Sequence, residues 1–349
     1  MKTDKNADPR LLRLERWIAG LPGPPVDRLL PASSDASFRR YFRVHRGGST
    51  QIAMDAPPER EALDAWLRVA RILAATGVHV PPVIAVDAEQ GFVLIGDLGK
   101  QHYFEALGEG ADPEPLYEAA IDALVQMQSG GAALSSELPA YDRALLMREM
   151  ELFTEWFVGR HLGLAPAAAQ RRTIAEAFDW LCDEALVQPV VLVHRDYHSR
   201  NLLVRADGNP GIVDFQDAVR GPVTYDLVSL LKDCYIVWPA RRLRGWLDRY
   251  RERAASAGID VGVDRAQFLH WFDTMGLQRH IKVLGIFARL WHRDGKPGYL
   301  ADLPRVLDYT LAVTSALPAL PALAAFDEYL RGEVVPAFAA AGRRAGKPR

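Results

Sequence analysis

One stretch constrains this chain more than any other. Val191-Leu192-Val193 runs directly into His194-Arg195-Asp196-Tyr197-His198-Ser199-Arg200-Asn201, and a second apolar run, Gly211-Ile212-Val213, ends on Asp214-Phe215. The short apolar segments Val190 to Val193, Asn201 to Val204 and Gly211 to Phe215 read as buried strands. Polar residues stand at their ends, and the loop from Asp196 to Asn201 is read as one turn between two short strands, with Asp214 at the end of the next. Chance supplies the His-x-Asp-x-x-x-x-Asn spacing in about one chain in two hundred of this composition, so the pattern is read as a site.

The residue types point to phosphoryl transfer. That reaction spreads negative charge over the moving group, so a magnesium ion has to be held against the phosphates. Magnesium takes oxygen ligands, usually one or two from the protein and the rest from phosphate and water. Asp214 offers a carboxylate and Asn201 a neutral carbonyl oxygen. Asp196 stands where a base can accept the proton of an attacking hydroxyl. His194 is either a proton shuttle or, the reading preferred here, a structural imidazole that braces the loop.

The rest of the chain fits a two-part architecture. Its 349 residues, 49% hydrophobic, suffice for two lobes around a cleft. A formal net charge of −2 gives no electrostatic case for nucleic acid or an anionic membrane as partner. Cys182 and Cys234 are too few for a disulfide framework or a zinc site, and no apolar run is long enough to span a bilayer, so a cytoplasmic chain is expected. An amphipathic helix from Leu11 to Ala19 stops at Leu21-Pro22-Gly23-Pro24-Pro25. Residues 31 to 98 spell strand (Phe38 to Val44), strand (Gln51 to Met54), helix (Pro58 to Ala75), and a hairpin from Val83 to Ile95. Helical patterns follow over Tyr117 to Met127, Ala144 to Leu162 and Ala168 to Leu186, and resume after Tyr225. The expected division is an N-terminal helical extension over 1–30, a nucleotide-binding lobe over 31–100, and a catalytic lobe over 101–349.

His194-Arg195-Asp196 through Asn201, Val213-Asp214-Phe215, and Gly221-Pro222-Val223-Thr224-Tyr225-Asp226-Leu227 together resemble the aminoglycoside phosphotransferase and choline kinase-like family. The resemblance covers residues 30 to 300. It implies an α+β, protein-kinase-like fold with a small antiparallel-sheet lobe and a mostly helical lobe, and ATP and Mg2+ as cofactors. It makes Asp226 structural, and a carboxylate at the start of a helix can accept orphan backbone N–H bonds. Leu94-Ile95-Gly96-Asp97-Leu98-Gly99 resembles the family's hinge, whose backbone holds adenine, with Gly96, Asp97 and Leu98 in contact. A narrower likeness runs through Ser37 to Arg43, Met54 to Pro58, Asp214 to Ala218 and Met275 to His280. These segments are similar to the cell-wall amino-sugar kinases of Gram-negative bacteria. That implies phosphorylation of the anomeric hydroxyl of N-acetylmuramate and N-acetylglucosamine in peptidoglycan recycling, by a monomer whose partner is a small amino sugar.

Two departures from the kinase pattern stand out. The third-strand Lys that grips phosphates in protein kinases is missing from Gln51-Ile52-Ala53-Met54-Asp55, and Ser33 to Ser37 replaces the Gly-rich loop. Backbone N–H groups of small residues such as Ser37 can cradle phosphate, and Arg39, Arg40 or Arg43 can supply the cation. Strand alternation puts Arg39, Tyr41 and Arg43 on one face. Gln216 stands where protein kinases have Gly. On the acceptor side, the apolar helix from Asp264 to Leu290 is interrupted by Arg279, His280 and Lys282. Either Arg279 faces an acceptor carboxylate or it pairs with a buried acid. Asp217 and Arg220 are read as sugar contacts or as a structural pair. The alternatives are a kinase for another hydroxyl acceptor (aminoglycoside, choline or homoserine type) and a non-catalytic nucleotide-binding regulator.

Overall fold

The computed structural model describes residues 8–34, 38–207, 210–317 and 320–345. Helix α1 (Pro9–Gly20) starts on Asp8, whose carboxylate accepts the N–H groups of Arg10 and Leu11. Then come strands β1 (Val26–Ser34), β2 (Arg40–Arg46) and β3 (Ser49–Asp55), helix α2 (Leu63–Ala75), and the hairpin β4 (Val83–Asp87) and β5 (Phe92–Gly96). They form one antiparallel sheet in the order β1-β2-β3-β5-β4.

Strand β1 is absent from the expectations above, and it begins inside the segment 1–30 read as a separate extension. Its Pro31 spoils the strand pattern. An edge strand tolerates a proline, and the register shifts beside Val26 and Pro31 mark the irregular pairing. The α1 segment is likewise part of the sheet's packing. Alternation sends Phe42, Val44, Ala53, Phe92 and Leu94 to the outer face, where Leu14 and Ile18 of α1 cover them. Met54, Val93 and Ile95 point inward to Trp66 and Leu73 of α2 and the core of the second lobe. Helix α2 starts at Leu63 rather than near Pro58, because Pro57 to Glu61 closes a turn in which Arg60 and Glu61 donate to the Pro57 carbonyl at 2.9 and 3.0 Å.

The second lobe opens with α3 (Tyr103–Gly108), α4 (Pro113–Gly130) and α5 (Arg143–Leu152), which widens into π-helical turns over Phe153–His161. Helix α6 (Ala168–Leu186) precedes the strands β6 (Val190–Val193), β7 (Leu202–Leu203), β8 (Gly211–Ile212) and β9 (Val219–Pro222). Then α7 (Tyr225–Leu231), α8 (Ala240–Ser256), α9 (Arg265–His292), α10 (Leu303–Ala316), α11 (Pro321–Tyr329) and α12 (Val335–Ala345) complete it. Helix α9 is buried nearly all round and acts as the lobe's axis. Gly285 lets it approach α5: a Cβ there would lie 2.3 Å from the Leu152 carbonyl carbon. That close approach brings Lys282, one turn earlier on α9, against Glu149 of α5.

Two short ladders hold the polar loop. Strand β6 pairs antiparallel with β9, and β7 with β8 through Leu202↔Ile212 and Leu203↔Gly211. The strands β7 and β8 are shorter than expected: Val204 donates to the Gln101 carbonyl at 2.8 Å instead, and after the Val213 N–H reaches the Asn201 carbonyl at 3.1 Å the chain turns at Asp214 (φ 63°). No helix among the described residues is long and apolar enough to cross a membrane.

Candidate active site

The loop from His194 to Asn201 is held under strain by buried carboxylates. Arg195 (φ 77°) and Asp214 (φ 63°) are the non-glycine residues with positive φ among the described residues. The fully buried Asp226 carboxylate accepts the N–H groups of His194 (2.6 Å) and Arg195 (2.9 Å). Asp226 therefore serves the loop, whereas the sequence suggested the orphan groups of a helix start. Burial pushes its carboxyl up to about 7, against the two backbone bonds that favour the charged form. Asp233, just past α7, holds the other half of the loop by accepting Ser199 N–H (3.1 Å) and Oγ–H (2.6 Å).

His194 is completely buried, and its Nδ1 accepts the Asp196 N–H at 3.2 Å. Burial drives its pKa down to about 4, so it is neutral at physiological pH and braces the loop. The Arg195 side chain turns inward to an ion pair with Glu149 and donates to the Asp217 carbonyl at 3.2 Å. Glu149 also binds Lys282 Nζ at 2.9 Å and the Tyr141 hydroxyl, and Lys282 donates to the Tyr225 hydroxyl at 3.0 Å. Burial would raise the Asp196 carboxyl, but the neighbouring positive charges, Lys282 foremost, outweigh it and hold Asp196 below its ordinary value. Asp196 is thus ionised and able to accept a proton.

Asn201 donates its amide N–H2 to the Asp196 carbonyl at 3.0 Å and points it at the Asp214 carboxylate at 3.4 Å. The amide oxygen is left as the group able to ligate a cation. Gln216 donates to Asp214 Oδ1 at 3.0 Å, so the position that differs from protein kinases steadies the acid. Phe215 stacks obliquely on Trp66 of α2 at 5.2 Å and ties this turn to the small lobe.

Two cavities meet at the loop. The larger, about 360 Å3, lies between the lobes and is lined by Ile52 and Ile95 of the sheet, by Gly96, Asp97 and Leu98, and by Asn201 and Asp214. The smaller, about 140 Å3, is lined by Asp196, His198, Tyr225, Cys234, Arg279 and Lys282 among others. Asp196 thus opens into the small cavity, and the Asn201–Asp214 pair into the large one.

The expected cations are mostly committed elsewhere. Arg43 lines the large cavity but forks onto Asp97, just past β5, Nε to Oδ2 at 2.6 Å and Nη2 to Oδ1 at 3.1 Å. Arg40 binds Asp55 and Asp8 on the opposite strand face. Arg39 is buried beside Glu61 (3.7 Å) and does not line the cleft. Ser37 lies outside the described residues. Besides Arg43, Lys100 and Arg200 line the large cavity, and the sequence reading passed over both. Arg200 lies on the ring of Tyr235 at 3.5 Å and near Phe104 at 4.7 Å.

On the acceptor side, Asp217 and Arg220 are exposed and line neither cavity. The Arg220 main chain is engaged with Pro139 and Tyr141, and its side chain alternates outward from β9. Arg279 lines the small cavity and is 4% exposed. Glu149 was missed altogether. The available signal was an acid on the apolar stripe of Leu146, Met150 and Phe153.

Comparison with known proteins agrees with this geometry. An ADP-bound crystal structure of aminoglycoside phosphotransferase APH(2'')-Ib superposes with a TM-score of 0.56 at 13% identity, covering 87% of this chain and 98% of that one. An AMP-bound spectinomycin phosphotransferase reaches 0.61 at 12% identity over 86% and 98%. The shared fold is the two-lobed, protein-kinase-like one. An N-acetylmuramate/N-acetylglucosamine kinase of Pseudomonas putida is 48% identical over 299 residues, 86% of this chain and 87% of that protein. One of the same name from Neisseria meningitidis serogroup B is 40% identical over 329 residues, 93% and 97% of the two chains. Residues 28–269 match the phosphotransferase enzyme family. With strained loop, paired oxygen donors and family match in agreement, the chain belongs to the phosphotransferase enzyme family and is a kinase of that fold.

Proposed function

We propose that this enzyme transfers the γ-phosphoryl group of ATP to the anomeric (C1) hydroxyl of N-acetylmuramate and N-acetylglucosamine, as a cytoplasmic monomer in peptidoglycan recycling. One observation carries the reading most: the Asp196 carboxylate opens into a small cavity directly beside the cleft that Asn201 and Asp214 line. The names of the relatives supply the acceptor.

In this reading the hinge holds adenine, and the Arg43–Asp97 fork fixes the hinge to β2. Asn201 and Asp214 would hold Mg2+, a donor set that fits because both offer hard oxygens lining the large cavity. When bound there, the ion would supply positive charge against the phosphates. Arg200, next to Asn201 in the chain, takes the phosphate-facing role of the absent third-strand Lys. The acceptor oxygen bonds to the γ-phosphorus, the bond from phosphorus to the ADP oxygen breaks, and the hydroxyl proton passes to Asp196. Glu149, Arg195 and Asp226 keep Asp196 aimed.

The small cavity supports an amino sugar over an aminoglycoside. Its ionic groups are Asp196 against Arg279 and Lys282, which repels a polycation. The test is a coupled assay of ADP release with N-acetylmuramate, N-acetylglucosamine, an aminoglycoside and choline. The reading requires stimulation by the two sugars and none by the cations. ADP release driven by the cations instead would overturn it.

A further inference from the structure

Arg279 is a buried cation whose own protein partners do not neutralise it. It sits in the middle of α9 at 4% exposure. Its Nη1 donates to the Cys234 sulfur at 3.4 Å, a weak acceptor, and its Nε has no hydrogen-bond partner. Among the described residues it makes no ion pair. The contrast with Lys282, three residues on, is informative: Lys282 is just as buried and is paired with Glu149 and Tyr225. His280, between them, turns away to stack on Tyr309 at 4.8 Å and meet the Lys232 carbonyl at 3.1 Å.

A buried guanidinium left without an anion is costly to the fold. Such a group is retained where a ligand supplies the charge. Arg279 lines the small cavity with Asp196 across from it. Among the described residues that line the cavity, Asp196 is the one acid against two cations, Arg279 and Lys282, and behind them Glu149 is shared between Lys282 and Arg195. The cavity therefore carries one positive charge more than its own acids balance.

We infer that Arg279 is the receptor for a carboxylate on the acceptor, and so separates acid-bearing from neutral amino sugars. This rests on the amino-sugar reading above. N-Acetylmuramate brings a carboxylate that a guanidinium fork can hold through two parallel bonds. N-Acetylglucosamine has none and binds without that contact. Both are accepted, and the acid-bearing sugar is favoured through binding.

The experiment compares kcat/KM for the two sugars in wild type, Arg279→Gln and Arg279→Lys. Arg279→Gln is expected to lower the value for N-acetylmuramate by about 10- to 100-fold, mainly through KM, and that for N-acetylglucosamine by less than about threefold. Arg279→Lys should recover part of the loss. The wild-type enzyme supplies a control free of folding effects: the methyl ester of N-acetylmuramate should be turned over about as well as N-acetylglucosamine. Equal losses on both sugars, or an ester as good as the acid, overturn the assignment of Arg279. A wild-type enzyme inert to both sugars overturns the amino-sugar reading itself, and this inference with it.

Discussion

The Asp226 carboxylate accepts the backbone N–H of Arg195 at 2.9 Å, at the residue whose φ of 77° turns the chain into Asp196. The strain of that turn is held by a group outside the loop. A positive φ at a long, Cβ-bearing residue costs free energy, and the buried carboxylate with its two N–H bonds offsets it. Asp226→Asn keeps the shape but puts an N–H2 where an acceptor is needed. Stability to urea should fall by about 2 kcal/mol, and kcat should fall far more than the KM for ATP rises. A variant with full kcat would show that Asp226 does not hold the loop.

Glu149 is the hub between the His194–Asn201 loop and α9, through Arg195 and Lys282. Glu149→Gln leaves Lys282 and Arg195 buried without a counter-charge, and should cost about 3–5 kcal/mol in urea unfolding. Adding Lys282→Met removes one stranded charge and should recover part of that loss. If the double variant is as unstable as the sum of the singles, the pairing between the two side chains is not what stabilises this region.

Much of the candidate site's layout could be read from the sequence. The kinase-like spacing of His194, Asp196 and Asn201, with the apolar run ending on Asp214, grouped these residues as one site, and they do lie together. Positions set by long-range packing could not be read this way. Strand β1 was hidden by Pro31, which only an edge position excuses. The fate of each arginine depended on acids far along the chain: Asp97 for Arg43, and Asp55 and Asp8 for Arg40. Strand alternation grouped Arg39 with Arg43, yet only Arg43 lines the cleft. Arg220 was legible as a cation near the site, but not its outward direction from β9.

The enzyme should lose stability in acid through buried imidazoles. Burial lowers His194 to about 4 and His280 to about 3 from an ordinary 6.5, with Arg279 adding to the shift at His280. As pH falls below 6.5, the unfolded chain binds protons at both that the folded chain refuses. Their contribution is complete above pH 6.5 and is lost as pH falls to about 4 for His194 and about 3 for His280. Asp226 acts in the opposite sense: its carboxyl is raised from 3.8 to about 7, so the folded chain holds a proton there that the unfolded chain releases. Two groups against one leave a net loss on acidification. The urea midpoint should be lower at pH 5 than at pH 7.5, and His280→Gln should flatten the slope. A midpoint that rises on acidification would contradict these assignments.

Arg200 is assigned the phosphate charge that the third strand no longer supplies. Arg200→Met should raise the KM for ATP by about 10-fold or more and leave the KM for the sugar within about threefold. An unchanged KM for ATP would pass that role to Lys100, which also lines the cleft.

The central claim is that Asp196 is the base for phosphorylation of an amino-sugar hydroxyl. Its most direct test follows phosphorus by NMR in mixtures of ATP, Mg2+ and N-acetylmuramate or N-acetylglucosamine, with the wild-type enzyme and with Asp196→Asn. The wild type should give ADP and an acid-labile, alkali-stable sugar 1-phosphate. Asp196→Asn should give no sugar phosphate while still binding ATP. Sugar phosphate formed by Asp196→Asn at a rate near that of the wild type would contradict the account.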